Sequence, residues 1–485
     1  MLRFGRSVGL LAGTALAVSG CGMFGPVQAG GATSSSASAV PFDAASPTQG
    51  SAVTRHTSLQ GVDLTVTVGP ALRQAERLVV PVNVVGRGDK TVDLAPHWTA
   101  PNSQGVTGAA VVDFTTGQLY PATALATEKL PVGGESSEPA VAHLATAAVA
   151  GPQLSVLLPG IGMVHNVPVL DTEIPSALAA ELDKLGARFP ATPHALNVSL
   201  TETSSGLRIS QTDAGVTAVL PTDDLFVPDS PDLTYTAHDA LADLATYVAP
   251  LSGGTIQVTG HSDGVGEAAD NLALSQARAE AVAGALQEQL AGAGFEFSAS
   301  GQGANQPLVP EVDAAANRRV EVTITADVEG ALVPPSAGEE VPVPARNELV
   351  GQGPIEVVDS ENQEAVRIAV NSLQRHGDFL VGEFLVTATG ESHTRSAADW
   401  LGLSNDNRET VAVLDGQLRL APVTFTEDGA QVPLADLGST EPLPEDETVA
   451  VTVVWPAVDA ETVTLDVAAT EEGSEGWRLT DVATD

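Results

Sequence analysis

GHSDGVGEAADNLALSQARAEAV, residues 260–282, changes character twice along its length. Ile256 and Val258 alternate with polar residues just before it, the pattern of a strand buried on one face. Gly260, Gly264 and Gly266, with Ser262 and Asp263 among them, break that alternation as turn-forming residues do. From about Asp270 to Ala291 the period becomes helical, and Leu274, Val282, Leu286 and Leu290 fall on one side. Arg278 shares the stripe of Leu274 and Val282 at i, i+4, i+8, and a guanidinium among apolar neighbours requires a partner.

The same change of period extends outward. Val216–Leu220 reads as a strand, and Thr236–Leu251 as a helix carrying Ala237, Leu241, Leu244, Val248 and Leu251 on one face, with Thr236 and Asp239 in capping-box register. Phe295–Ala299 and Val320–Ile324 add two strands downstream. Strands alternating with helices predict a βαβαββ unit over residues 214–327, built with crossover connections.

These residues carry a resemblance. Gly260–Val282 is similar to the glycine-aspartate loop and following helix of the OmpA-like C-terminal domain family, and LFVPDSPDL from Leu225, GQGANQPLVP from Gly301 and NRRVEVTI from Asn317 resemble further motifs of that family in the same order. The resemblance implies an OmpA-like α+β domain that binds peptidoglycan through the diaminopimelate side chain of the stem peptide. That side chain ends in an ammonium and a carboxylate on one carbon. Arg278 stands at the family's helix arginine, whose planar guanidinium grips a carboxylate with two hydrogen bonds. Asp263 matches the aspartate that takes the ammonium. Asn271 matches the asparagine that fixes the loop or donates to the ligand, and Ser275 a serine that packs the helix or holds a loop. Asn317 and Arg319 match polar residues on the ligand side of the last strand. If Val320 and Val322 face the helices, period two puts Arg319 on the other side, so Arg318 and Arg319 are both candidates. An ion pair between Asp263 and Arg278 that serves structure alone is the competing use of those two residues.

Short alternating strands flank this unit. VDLTVTV from Val62, RLVVPVNVV from Arg77 and QLSVLLP from Gln153 lie in residues 59–172, while AVRIAV from Ala365, DFLVGEFLVTA from Asp378 and TVAVTVVWP from Thr448 lie in residues 346–485. Turn residues separate them, so each region is expected to be an Ig-like β-sandwich. The two share markers in order: Gly117-Gln118-Leu119 with Gly416-Gln417-Leu418, Ser137-Glu138-Pro139 with Thr440-Glu441-Pro442, and LSVLLP ending at Pro159 with VTVVWP ending at Pro456. The spacing from GQL to the final proline is 42 residues in one and 40 in the other, which points to a duplicated domain. Residues 173–213 read as a connecting segment, and the proline-rich residues 328–345 as a semi-rigid linker. The expected architecture is thus multidomain, an α+β centre flanked by two β-sandwiches.

The chain opens with Arg3 and Arg6, an apolar run from Val8 to Val18, and Val18-Ser19-Gly20-Cys21. Residues 1–20 have the layout of a secretory signal, and the run is short of the roughly twenty residues a spanning helix needs. Small residues directly before a cysteine look like a lipobox, so Cys21 is the expected attachment point for acyl chains such as palmitate. It is also the sole cysteine, which excludes an internal disulfide. Two or more acyl chains anchor a protein stably to a membrane. Residues 21–58, rich in Gly, Ala, Ser and Thr, read as a tether with a root-mean-square reach of roughly 30 to 36 Å.

Lys plus Arg number 21 against 61 Asp plus Glu, a formal charge of -40 that repels nucleic acid and anionic head groups. Neither a His-x-x-x-His pair nor a cysteine cluster is present, and neither a metal, a cofactor nor an enzyme is expected. Aromatics at 4% argue against a transmembrane barrel. The expected role is that of an exported, lipid-anchored envelope protein that holds the cell wall. The alternative is an envelope scaffold or adhesin whose sandwiches bind a protein or glycan, which exposed Trp98, Trp400 or Trp477 would favour.

Overall fold

The computed structural model describes residues 51–99, 108–125, 129–134, 139–186, 189, 191–203, 205–212, 214–251, 253–326, 332, 347–359, 363–389, 393–403, 410–427, 429–436, 442–443, 445–468 and 476–484. Residues 1–20 expected to be a signal sequence, Cys21, most of residues 21–58 expected to be a tether, and residues 328–345 expected to be a linker, except Leu332, lie outside the described residues. No described helix is long and apolar enough to cross a membrane.

Period two builds the first region. In VDLTVTV, Val62, Leu64, Val66 and Val68 are buried while Asp63 is exposed. The strands Val53–Leu59, Val62–Val68, Arg77–Arg87 and Ala140–Ala147 pair antiparallel in that order. Gln118–Pro121, Ala110–Asp113, Gln153–Leu158 and Gly162–Asp171 form a second antiparallel group. Leu64, Val66, Val82 and Leu144 of the first group share one core with Val111, Leu154, Val156 and Val164 of the second, an arrangement compatible with a β-sandwich. The first strand starts at Val53, inside the residues assigned to the tether, because Arg55 and Leu59 are buried against the sheet.

The third region repeats the pairing scheme. Phe379–Thr389 pairs with Thr448–Pro456 as Arg77–Arg87 does with Ala140–Ala147. Ala412–Asp415 lies between Leu418–Leu420 and Thr462–Val467 as Ala110–Asp113 lies between Gln118–Pro121 and Gln153–Leu158. The last strand of each region takes a parallel partner, Ala71–Gln74 in one and Asn347–Val350 in the other. The GQL markers coincide in this register, and both Gly117 and Gly416 turn the chain with positive φ. The LSVLLP and VTVVWP markers do not coincide. By pairing, Gln153–Leu158 answers to Thr462–Val467 and not to Thr448–Pro456. Runs of buried valine and leucine are generic to inner strands and carry no register. Trp98, Trp400 and Trp477 are all buried.

The segment 173–213 is more than a connection. It holds the helix Ser176–Lys184 and the strands His194–Glu202 and Arg208–Thr212. Leu196, Val198 and Leu200 alternate inward along the His194–Glu202 strand. That strand pairs with Gln118–Pro121 of the first region, with Leu418–Leu420 and Thr424–Glu427 of the third, and with Arg208–Thr212, which leads into the central sheet. Leu332, in the linker, is buried and its N–H donates to Gln211 Oε1 at 2.9 Å.

Buried polar groups join the first and third regions. Arg55 pairs with Glu383, whose other oxygen accepts from Asn371 Nδ2 at 2.9 Å. Nearby, His165 and His376 stack with ring centroids 3.9 Å apart, beside Phe114. Burial holds the His376 imidazole down to about 4, and burial, then His376 and Arg55, hold His165 well below its ordinary value. The unfolded chain takes up these protons at about pH 6.5, before the folded chain does, so the folded form binds fewer protons below that pH. Stability is therefore full above about pH 6.5 and falls by roughly 1.4 kcal/mol per pH unit per histidine in more acid solution. His376→Gln should flatten the pH dependence of the urea midpoint between about pH 6.5 and 4.5 by close to one proton; a slope equal to that of the parent chain would show that this histidine is not the sensor.

Candidate functional site

The central sheet runs Arg208–Thr212, Gly215–Pro221, Arg319–Thr325, Thr255–His261, Glu296–Gly303, with only the last pair parallel. The helices Tyr235–Val248 and Ala268–Gln289 contribute Leu241, Leu244, Val282 and Leu286 to a core with Val258, Val320 and Val322. The first of these helices is capped by Thr234, whose Oγ1 accepts from the Ala237 N–H, and not by Thr236 as the capping-box register predicts. Leu274 is only half-buried; the inward face of the second helix is Ser275, Arg278, Ala279, Val282, Ala283 and Leu286. The helix turns Ser275 inward because its backbone lies directly on two strands. A Cβ on Gly260 would sit 2.1 Å from the Ser275 carbonyl oxygen, and one on Gly301 2.4 Å from the Gln276 nitrogen. Only glycine permits that approach. Ser275 Oγ fastens it by accepting from the Gly303 N–H at 3.0 Å and donating to the Leu272 carbonyl.

Asp263 follows the end of the Thr255–His261 strand. Its Oδ1 accepts from the Val265 N–H at 3.1 Å, and its Oδ2 from Arg318 Nη1 at 2.8 Å. Asn271 holds the same loop, donating through Nδ2 to the carbonyls of Val265 at 2.9 Å and Asp263 at 3.3 Å. Arg278 is one turn beyond Ser275 and 8% exposed. Its Nε donates to the Ser230 carbonyl at 3.2 Å, and the guanidinium lies over the Phe226 ring, 5.0 Å from the centroid. Its two terminal nitrogens have no hydrogen-bond partner among the described residues. Burial lowers the Arg278 guanidinium from its ordinary value, against the opposing pull of Asp223 and Asp229.

No ion pair joins Asp263 to Arg278 among the described residues. The cation on Asp263 is Arg318, which also grips Asp223 through Nε at 2.7 Å and Nη2 at 2.5 Å. Arg318 pulls the Asp223 carboxyl below its ordinary value, with help from Arg278, and the two aspartates push Arg318 up in turn. Arg319 is elsewhere. It is buried on the face opposite Val320 and Val322, with Nε on Glu321 at 2.7 Å and Nη2 on the Gln306 carbonyl at 3.2 Å. Alternation along the Arg319–Thr325 strand leaves Arg318 as the arginine of the helix side. Asp223 was not among the sequence candidates, since nothing in TDDL marks a residue that meets Asp263 only through a third side chain.

Asn317 is also turned away from the charge cluster. Its Oδ1 accepts from the N–H groups of Leu308 and Val309, and its Nδ2 donates to the carbonyls of Val309 and Glu311. All four hydrogen bonds are used on the 308–311 loop, at a residue 2% exposed. Asn317→Ala leaves those backbone groups unpaired and should cost roughly 2 to 3 kcal/mol in chemical denaturation. A loss below about 0.5 kcal/mol would contradict this role.

The OmpA family model matches residues 225–321. The cell wall anchor of the type VI secretion system from Pseudomonas aeruginosa is 31% identical over 23% of this chain and 81% of its own, with a TM-score of 0.20. The peptidoglycan-associated lipoprotein from Burkholderia pseudomallei is 30% identical over 20% of this chain and 86% of its own, with a TM-score of 0.18. A MotB-like protein from Desulfovibrio vulgaris is 30% identical over 23% and 75%, with a TM-score of 0.21. No curated protein matches the chain. Residues 225–321, with the glycine-aspartate loop and the helix that carries Arg278, are an OmpA-family domain.

Proposed function

We propose that this chain binds peptidoglycan non-covalently through the diaminopimelate stem peptide while lipid on Cys21 holds it in a membrane, and that it acts as a binding protein and not as an enzyme. The observation that carries the reading is the Arg278 guanidinium, kept in place by Ser230 and Phe226 yet with its terminal nitrogens unpartnered among the described residues. A cation so held is prepared for a carboxylate, and a two-pronged pair is among the stronger hydrogen-bonded contacts a protein makes. Asp263 supplies the complementary charge for the ammonium on the same ligand carbon. Its carboxylate has lone pairs beyond those used by Val265 and Arg318. Arg318 keeps its two bonds to Asp223 throughout, so taking up the ammonium frees no buried cation.

The membrane end rests on the sequence alone. With a strand beginning at Val53, 31 residues separate Cys21 from the first described strand, and a chain of that length spans at most about 110 Å. Burial of Trp98, Trp400 and Trp477 removes the aromatic surface that the scaffold or adhesin alternative calls on.

Asp263→Ala and Arg278→Ala should each abolish cosedimentation with diaminopimelate-type wall, with thermal melts confirming that the variants fold. Undiminished pelleting of either variant overturns the assignment. Cys21→Ala should move the chain from the detergent phase to the aqueous phase on partitioning, and retention with detergent overturns the lipid anchor.

A further inference from the structure

Of the large apolar side chains left exposed, Val227, Tyr235, Val265, Leu272, Leu308 and Val312 belong to the central domain. Val265 and Val312 are 57% and 63% exposed and stand at the charge cluster itself. The Gly264 N–H donates to the Val312 carbonyl at 2.7 Å, and a Cβ on Gly264 would lie 2.7 Å from Val312 Cγ1, so the Val312 side chain covers that glycine. Val265 is pinned on both sides of its backbone, its N–H on Asp263 Oδ1 and its carbonyl on Asn271 Nδ2. Arg318 Nη1 bridges the two loops, donating to Asp263 Oδ2 at 2.8 Å and to the Asp313 carbonyl at 3.0 Å. The hydrogen bonds that fix Asp263 therefore also hold two isopropyl groups out into solvent beside it.

We infer that Val265 and Val312 form an apolar shelf that receives the alanyl residue following the diamino acid in a stem peptide. The inference rests on the proposed stem-peptide reading and names what the site recognises beyond the zwitterion. A ligand whose zwitterionic tip is held at Asp263 and Arg278 must lay its neighbouring residues on the rim of the site. Exposed Glu311 and Asp313 flank Val312 and repel a carboxylate there, whereas a methyl group meets only apolar surface. Covering about 60 Å² of apolar area on contact corresponds to about tenfold in affinity.

Calorimetric titration of the full chain with free diaminopimelate, with the tripeptide alanyl-glutamyl-diaminopimelate amidated at the carboxyl through which the stem continues, and with the tetrapeptide that adds a terminal alaninamide, so that neither peptide carries a carboxylate to the shelf, tests the inference. The parent chain should bind the tetrapeptide about tenfold more tightly than the tripeptide. The Val265→Ser, Val312→Ser double variant should bind the two within about twofold of each other and hold the tripeptide as the parent does, which also shows that the loops stay folded. A tetrapeptide preference that persists in the variant, or that is missing from the parent, overturns the shelf and leaves the zwitterion site intact. Failure of the parent chain to bind any of the three ligands overturns the stem-peptide reading, and the shelf with it.

Discussion

Backbone contact between the Ala268–Gln289 helix and the strands beneath it fixes the geometry on which the site depends. Gly260 and Gly301 have no room for a Cβ, and Ser275 ties the helix to Gly303, so the helix can lie at only one height and rotation over the sheet. One turn later that rotation delivers Arg278 to Ser230 and Phe226. At the other end it sets Asn271 under the Asp263 loop. A methyl group at either glycine would lift the helix and separate the guanidinium from the loop that complements it. The site is in this sense a product of packing, with hydrogen bonds serving as clips.

The charge arrangement follows from the cost of burying ions. Arg278 is almost fully covered, and a buried cation needs oxygen atoms or a π face around it. Ser230 and Phe226 satisfy one side of the guanidinium, while Asp223 and Asp229 act on it through space. Arg318 keeps Asp263 and Asp223 in place without occupying Arg278. Two aspartates and one arginine form a network in which Asp263 keeps lone pairs to spare, and the terminal nitrogens of the second arginine have no hydrogen-bond partner among the described residues. Keeping Arg318 on the aspartates and off Arg278 suits the proposed ligand, an anion that carries its own positive charge.

Much of this was legible from residue patterns, and the exceptions have identifiable causes. Alternation at Ile256 and Val258, the glycine loop and the helical period after Asp270 locate the strand, the turn and the helix of the site. Val320 and Val322 assign a face to each arginine before them, and the structure turns Arg318, not Arg319, toward Asp263. Asn317 looks like a ligand-side residue in sequence, yet its four hydrogen bonds all go to its own loop, a satisfaction that only the folded loop reveals. Leu274 falls on the apolar stripe but is half-buried, because close glycine contacts rotate the helix toward Ser275 and Ala279. The His194–Glu202 strand shows the opposite failure. Its alternating Leu196, Val198 and Leu200 are present in the sequence, but partners drawn from residues 118–121, 208–212 and 418–427 are too distant along the chain for any local pattern to name.

The central claim is that Arg278 reads a carboxylate on the same carbon that presents an ammonium to Asp263. Lysine-type wall offers the ammonium without that carboxylate, so the two walls differ at the group in question. Cosedimentation of the purified chain with wall from diaminopimelate-type and lysine-type bacteria measures this directly. The chain should pellet with the first and lose roughly thirtyfold or more in affinity for the second. Equal pelleting with both walls would contradict it.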